Sequence, residues 1–361
     1  MPNPPAKLAT GRPVSLKMLA EHLDLSPATV SFVLNNAPNR SIPQVTRERV
    51  KAAARKFGYM PNIVARSLQG MNTCTIGILL PEFGEGYHSQ VLSGAGEVLM
   101  KEGYFFFTAH HRHRKDLVAE YPRLLQARGV EGILAIDTHL ETAPPAPTVS
   151  VAGHVALPGV TNIILNHQRA AELALGHLHW LGHRKIVFMR GQDFSSDSAS
   201  RWRATLQVAR TLDIDVLPEL TIKLDRDLQS PELGYPGIQQ LLMRRRDFTA
   251  VVCFNDISAI GCIRALHDAG LHVPHDVSVI GFDDIQAASY SVPSITTIRQ
   301  PLVHMGALAA ELLLNKMANK RQPETVKVDP ELMERESSAR VCEAKWPEKS
   351  LPPRTGKKTR R

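Results

Sequence analysis

Residues 14–36, VSLKMLAEHLDLSPATVSFVLNN, decide how the amino-terminal part of the chain folds. Leu16, Leu19, Ala20 and Leu23 recur at helical spacing behind Ser15, whose hydroxyl suits an N-cap. Asp24-Leu25 is room for a tight connection only. Ser26-Pro27 then opens a second helix, because a serine cap followed by proline at the first helical position is a start signal with a physical cause. Val30, Val33 and Leu34 fall on one face of it. Two short helices joined by so brief a turn make a helix-turn-helix, the second helix being the one shaped to enter a major groove amino end first.

Outward from this stretch, PQVTRERVKAAARKF predicts a third, basic helix stopped by Gly58, a natural C-terminal cap. Pro61 prevents its continuation, and Asn62 caps a short helix, IVARSLQG, that ends near Gly70. About eight residues of isolated helix are unstable in water, so this segment needs a partner, either its twin or DNA. The charge agrees. Residues 1–70 carry +7 and residues 340–361 carry +6, whereas residues 71–339 carry −5. A basic head on an acidic body is the footprint of a chain whose head meets a polyanion.

From Thr75 the pattern changes. TIGILLP, YFFFTAH, VEGILAI, TVSVAG, RKIVFMRG, TAVVCFN and VSVIGFDD are short apolar runs of strand type. Between many of them lie helical stretches such as VLSGAGEVLMKEG, AAELALGHLHWLG and DISAIGCIRALHDAG. Short buried strands alternating with helices imply doubly wound parallel sheets, and there are too many units for one small sheet. Two halves with a ligand at the carboxyl ends of their strands is the expected division.

The chain resembles the lactose-repressor family. TVSxVLN, TRERV, GYxPN and NxxARSLxG follow one another here in the family's order and spacing. GVEGILAI, LGHRKIVFMRG, FNDISAIGCIRALHDAGLHVPHDVSVIGFDD and ITTIRQP carry the likeness through residues 74–340. The resemblance implies a transcription regulator, a repressor and not an enzyme, that binds a near-palindromic operator in double-stranded DNA as a homodimer. It implies an all-α helix-turn-helix headpiece at 1–61 and a hinge helix with linker at 62–73. An α/β periplasmic-binding-protein-like core would follow at 74–341, its first half 74–165 plus 290–325 and its second 166–288 plus 326–341. Residues 342–361 read as a basic, disordered tail.

The same likeness assigns roles. Pro27, Ala28 and Phe32 take the positions that read base edges. Ser26, Thr29, Ser31, Thr46, Tyr59 and Asn62 take those that hold phosphates and pack the headpiece. Ala65 and Leu68 lie on the hinge, where a leucine wedges into the minor groove and the unstacking is offset by the added contact that bending allows. Phe32 departs from the family, which has arginine or another polar residue there. Bidentate arginine–guanine readout is therefore unavailable from this helix, and thymine methyls, Ser31 and DNA shape must serve. Alternatively, Phe32 turns into the headpiece core.

For the effector, the resemblance points to Arg203, Asn255 and Asp283 as hydroxyl-binding groups. Tyr87 and His88 stand where the family has two aromatics, and Asn166 where it has an aspartate. Each has a plainer alternative: Arg203 and Asp283 pairing with each other, Asn255 capping the next helix. A sugar or sugar derivative suits these groups best; a purine stacked on Tyr87 or Phe282 is the alternative.

Other chemistries find no support. Cys74, Cys253, Cys262 and Cys342 contain no CxxC pair, which argues against a disulfide framework or zinc site and for a reducing cytoplasm. His110, His111 and His113 sit among Arg112, Arg114 and Lys115, which repel a divalent cation, so a solvated loop is expected and no metal. There is no GxSxG elbow, Walker loop or GxGxxG, and so no cofactor. No apolar run has the length of a signal peptide or a membrane span.

Overall fold

The computed structural model describes residues 14–34, 41–59, 72–84, 86–153, 155–191, 196–224 and 230–341. Asn62, Ala65 and Leu68, and the tail at 342–361, lie outside the described residues. The chain divides into two compact units, residues 1–73 and 74–361, each of which is taken by itself.

The first unit holds α1 (Leu16–Leu23), α2 (Pro27–Leu34) and α3 (Gln44–Lys56). Ser15 caps α1 by accepting from the Met18 N–H at 3.2 Å. Asp24 closes it in the left-handed region, φ 53°, which makes the tight turn possible. The Ser26 hydroxyl accepts from the Thr29 N–H at 3.1 Å and so starts α2. Leu19, Ala20, Leu23, Val30, Val33, Val50, Ala53 and Ala54 bury into one small core. Arg49 pins α3 to the end of α1 by donating to the Leu23 carbonyl at 3.3 Å.

The second unit contains two six-stranded sheets. The first has strand order β11-β5-β4-β3-β1-β2. It comprises β1 (Thr75–Leu80), β2 (Phe105–His110), β3 (Gly132–Ile136), β4 (Thr148–Val151), β5 (Val160–Leu165) and β11 (Thr325–Val328), all parallel. The second, order β12-β10-β9-β8-β6-β7, comprises β6 (Ile186–Arg190), β7 (Thr221–Lys223), β8 (Ala250–Val252), β9 (Ser278–Asp283), β10 (Thr296–Arg299) and β12 (Glu331–Met333). Only β12 runs antiparallel, against β10. Strands β1 and β3 are buried along their whole length, as expected of parallel strands covered on both faces.

Strand pairing corrects the expected division of the halves. β10 bonds to β9 in the second sheet, although residues 290–325 were expected in the first half. β11 pairs with β5 in the first sheet, although residues from 326 onward were expected in the second. The chain thus crosses between sheets three times: after β5, after β10 and after β11.

On the first sheet, α4 (Tyr87–Lys101) packs against α11 (Leu302–Met317). A methyl group on Gly94 would strike the Val303 carbonyl, and one on Gly306 the Val91 carbonyl. The two backbones lie too close for any side chain at the crossing. Gly306→Ala should therefore destabilise the second unit by about 1–3 kcal/mol through overpacking, read as a lower Tm in thermal unfolding. An unchanged Tm would show that the helices can separate without cost.

Candidate functional site

In the first unit, Ser26, Pro27 and Ala28 are exposed at the amino end of α2, with Thr29, Ser31 and Phe32 half-buried beside them. Phe32 is not among the described side chains packed on the headpiece core, where Leu16, Leu25, Leu34, Ile42, Phe57 and Tyr59 flank the buried residues. Thr46 is half-buried on α3. Tyr59 packs against the core and donates its N–H to the Ala54 carbonyl at 2.9 Å. The exposed amino end of α2 thus presents Pro27 and Ala28 with three hydroxyls and an aromatic ring close by.

In the second unit, the expected effector residues other than Arg203 fall near carboxyl ends of parallel strands, where helix amino ends and open backbone gather. Tyr87 and His88 open α4. His88 is buried, and its Nε2 lies 3.4 Å from the Asp137 carboxylate at the end of β3. Nothing in the sequence had singled out Asp137; the register of β3 brings it beside α4. Asn166 caps α6 (His167–Trp180) by accepting from the Arg169 N–H, and its amide donates to Asp329 at 2.8 Å. It therefore joins β5 to the segment after β11.

Asn255 caps α9 (Asp256–Asp268): its side chain accepts from the Ser258 N–H at 2.9 Å, while the Ser258 hydroxyl accepts from the Asn255 N–H at 3.0 Å. The plainer role foreseen for it is the one the structure shows. Asp283 is buried with φ 105°, and its carboxylate accepts from Gln300 Nε2 at 2.6 Å. So strained a backbone at a non-glycine residue is characteristic of a functional position.

Arg203 is exposed on α7 (Ser196–Thr211) and donates to Ser200 at 3.2 Å. It does not line the cavity that its neighbour Arg201 lines. Two residues along a helix turn the side chain about 200° around the axis, so only one of the pair can face inward. The Arg201 guanidinium lies 3.7 Å from the centre of the Phe282 ring and 4.7 Å from that of Phe254, a cation–π arrangement. One of its terminal nitrogens donates to the Phe254 carbonyl at 2.6 Å. Its Nε is buried without a hydrogen-bond partner among the described residues, and so is the Ser198 hydroxyl. Both line one cavity of about 40 Å³ with Phe188, Trp202, Phe254 and Phe282. The signal was present in the sequence, since Ala204, Val208 and Ala209 are the buried stripe of α7 and Arg201, not Arg203, is in phase with it. Buried donors left unsatisfied cost free energy until a ligand accepts from them, and a hydroxyl or carboxylate would do so here.

Beneath this site lies Asp256, fully buried at the first position of α9. One carboxylate oxygen accepts from the Thr297 hydroxyl at 2.6 Å and the other from the Ile285 N–H at 2.9 Å. Burial first, then the Asp283 and Asp284 charges, push its pKa up to about 8. The native fold therefore keeps a proton there that the unfolded chain releases near pH 4. This contribution to stability is complete in acid and is lost as pH rises toward 8. The Tm of Asp256→Asn relative to wild type should accordingly climb between pH 5 and pH 8. A difference independent of pH would show that Asp256 is ionised in the fold.

The triple-histidine loop is not fully solvated. His111 is buried; its Nδ1 accepts from the His113 N–H at 3.1 Å and its Nε2 meets the Thr138 hydroxyl at 2.9 Å. Desolvation lowers its pKa to about 4, so it is neutral. Among the described residues no three His, Cys, Asp or Glu side chains gather to hold a metal ion, and no helix is long and apolar enough to cross a membrane.

Known proteins match both units. Residues 15–62 match the family described as bacterial regulatory proteins, lacI family, and residues 175–338 match the periplasmic binding protein-like domain. The HTH-type transcriptional repressor PurR of Yersinia pestis bv. Antiqua (strain Antiqua) is 32% identical over 335 residues, covering 90% of this chain and 97% of that protein. Among solved structures, the lac repressor dimer bound to operator and the anti-inducer ONPF aligns with TM-score 0.82 at 25% identity, covering 91% of this chain and 100% of that one. A LacI family regulator from Enterococcus faecium with bound ribose aligns with TM-score 0.66 at 25% identity, covering 74% and 100%.

Proposed function

The chain belongs to the lacI family of bacterial regulatory proteins and is a DNA-binding transcriptional repressor with a ligand-binding domain, and from that premise we propose how it reads DNA and what controls it. Two headpieces of a homodimer, acting in the cytoplasm, bind a near-palindromic operator in double-stranded DNA. Pro27, Ala28, Ser31 and Phe32 face the base edges, and Ser26, Thr29, Thr46 and Tyr59 support the phosphate contacts, with Asn62, Ala65 and Leu68 acting at the hinge. Phe32 reads DNA in this account, beside the exposed amino end of α2.

Exposed apolar surface supports the homodimer. Strand β2 is an edge of the first sheet, and Phe105 and Phe107 on it are 62% and 37% exposed. Their rings meet edge to face at 5.2 Å. Tyr290 and Val292, beside β10, are also exposed. Unpaired edges and apolar patches of this kind call for a partner.

The effector is a sugar or sugar derivative bound between the two halves. The observation that carries this reading is the Arg201 site, where unsatisfied donors face a cavity walled by aromatic rings. Asp283 and the His88–Asp137 pair supply acceptors for hydroxyl groups. The Phe254 and Phe282 rings favour a purine as the second reading. At about 40 Å³ the cavity is far below the ~300 Å³ of an ordinary ligand pocket. Its lining residues all belong to the second half, so ligand entry there must rearrange α7, and that movement is what the hinge would sense. An effector acts only through its differential affinity for the two states, on a scale of ~1–3 kcal/mol.

The test is thermal stabilisation and operator affinity measured against mono- and disaccharides and free purine bases. Arg201→Ala should abolish the response to whichever compound stabilises the wild type, and Arg203→Ala should leave it intact. Loss with Arg203→Ala and retention with Arg201→Ala would overturn the site assignment.

A further inference from the structure

A second cavity lies apart from the Arg201 site, on the first sheet. Its volume is about 580 Å³, within the ~300–1,000 Å³ typical of ligand pockets. It exists because of how β3 connects to β4. Residues 137–147 make this crossing as a loop with no helix, whereas β1 to β2 and β2 to β3 are crossed by α4 and by α5 (Lys115–Ala127). A parallel crossover ordinarily carries a helix that packs back on the sheet. Here Leu140 is buried in the core beneath α5, with Ala146 packed against it, and the flank of α5 stays open.

That flank is basic. Lys115, Ala119 and Arg123 occur at i, i+4 and i+8 on α5, one stripe of the helix, and all three line the cavity. The small side chain of Ala119 leaves space between the two cations. Neither Lys115 nor Arg123 forms an ion pair among the described residues. His113 and His139 face the same space, and Glu141 is its one acidic lining residue. The neighbouring Asp116 is engaged by Arg114. Arg114, at the amino end of α5, makes no side-chain cap, so first-turn N–H groups add to the positive potential. Much of the remaining wall is apolar: Val118, Pro122, Leu140, Ala143, Pro144 and Pro145.

We propose that this cavity is a second, independent small-molecule site that takes a compact organic anion, its phosphate or carboxylate held by Lys115 and Arg123 and its body seated on the proline-rich wall. Arginine and lysine are the side chains suited to such oxyanions. Because the site stands on α5 and the β3–β4 loop, its occupancy does not depend on how Arg201 is used.

Isothermal titration calorimetry on the full chain tests it, with inorganic pyrophosphate as the phosphoryl probe, citrate as the carboxylate probe and glycerol as the uncharged control. Wild type and Arg201→Ala should bind one of the anions saturably and glycerol not at all. The double variant Lys115→Gln/Arg123→Gln, whose substituted side chains are exposed and whose fold is checked by circular dichroism, should bind it about tenfold or more weakly, a difference of about 1.4 kcal/mol. Pyrophosphate against citrate decides which oxyanion the site takes. The proposal is overturned by the absence of saturable binding to either anion, by unchanged affinity in the double variant, or by loss of binding in Arg201→Ala, which would place the anion at the other site.

Discussion

The hydrogen bonds of Asp256 are the constraint on which the effector half depends. One buried carboxyl at the start of α9 accepts from the backbone after β9 and from the hydroxyl of Thr297 on β10. It thereby fixes the turn at Asp283-Asp284, where φ is 105° and then 59°. Asp284 extends the brace: Arg299 donates to it at 2.7 Å and Arg335 at 2.6 Å, tying the turn to the end of β10 and to the chain just after β12. Gly281 has no side chain because one would collide with the Asp256 carboxyl. The site is rigid at its base and unsatisfied at its mouth, where Arg201 and Ser198 wait for acceptors. Such a combination suits a sensor, since ligand contacts are made against a fixed platform while the neighbouring half moves.

Much of this architecture could be read from residues alone. The headpiece is local: Ser15 and Ser26 cap their helices as hydroxyl chemistry requires, and the apolar spacing picks out the core that forms. The alternation of strand and helix is equally local. The points where the chain changes sheets were not legible, because β10, β11 and β12 are short and their membership is decided by partners far away in sequence.

The site divides along the same line. Asp283 and Asn255 were visible as polar residues at strand ends, yet Asn255 is occupied by capping α9. The family resemblance pointed to Arg203, whereas Arg201 is the arginine in phase with the buried stripe of α7. Asp137 becomes a partner of His88 only through strand register, and His111 is buried only because Thr138 and the loop after β3 close over it. Long-range packing assigned these roles, and no short window of sequence contains it.

Selection of bound sites from a random duplex library with the full chain at stated salt, alongside Phe32→Ala, tests the central claim most directly. The account predicts enrichment of one inverted repeat by the wild type, and a changed base preference with non-specific binding retained in Phe32→Ala. Salt-sensitive binding with no enriched repeat would contradict sequence reading by this headpiece. An unchanged preference together with an unfolded Phe32→Ala headpiece would return Phe32 to the core.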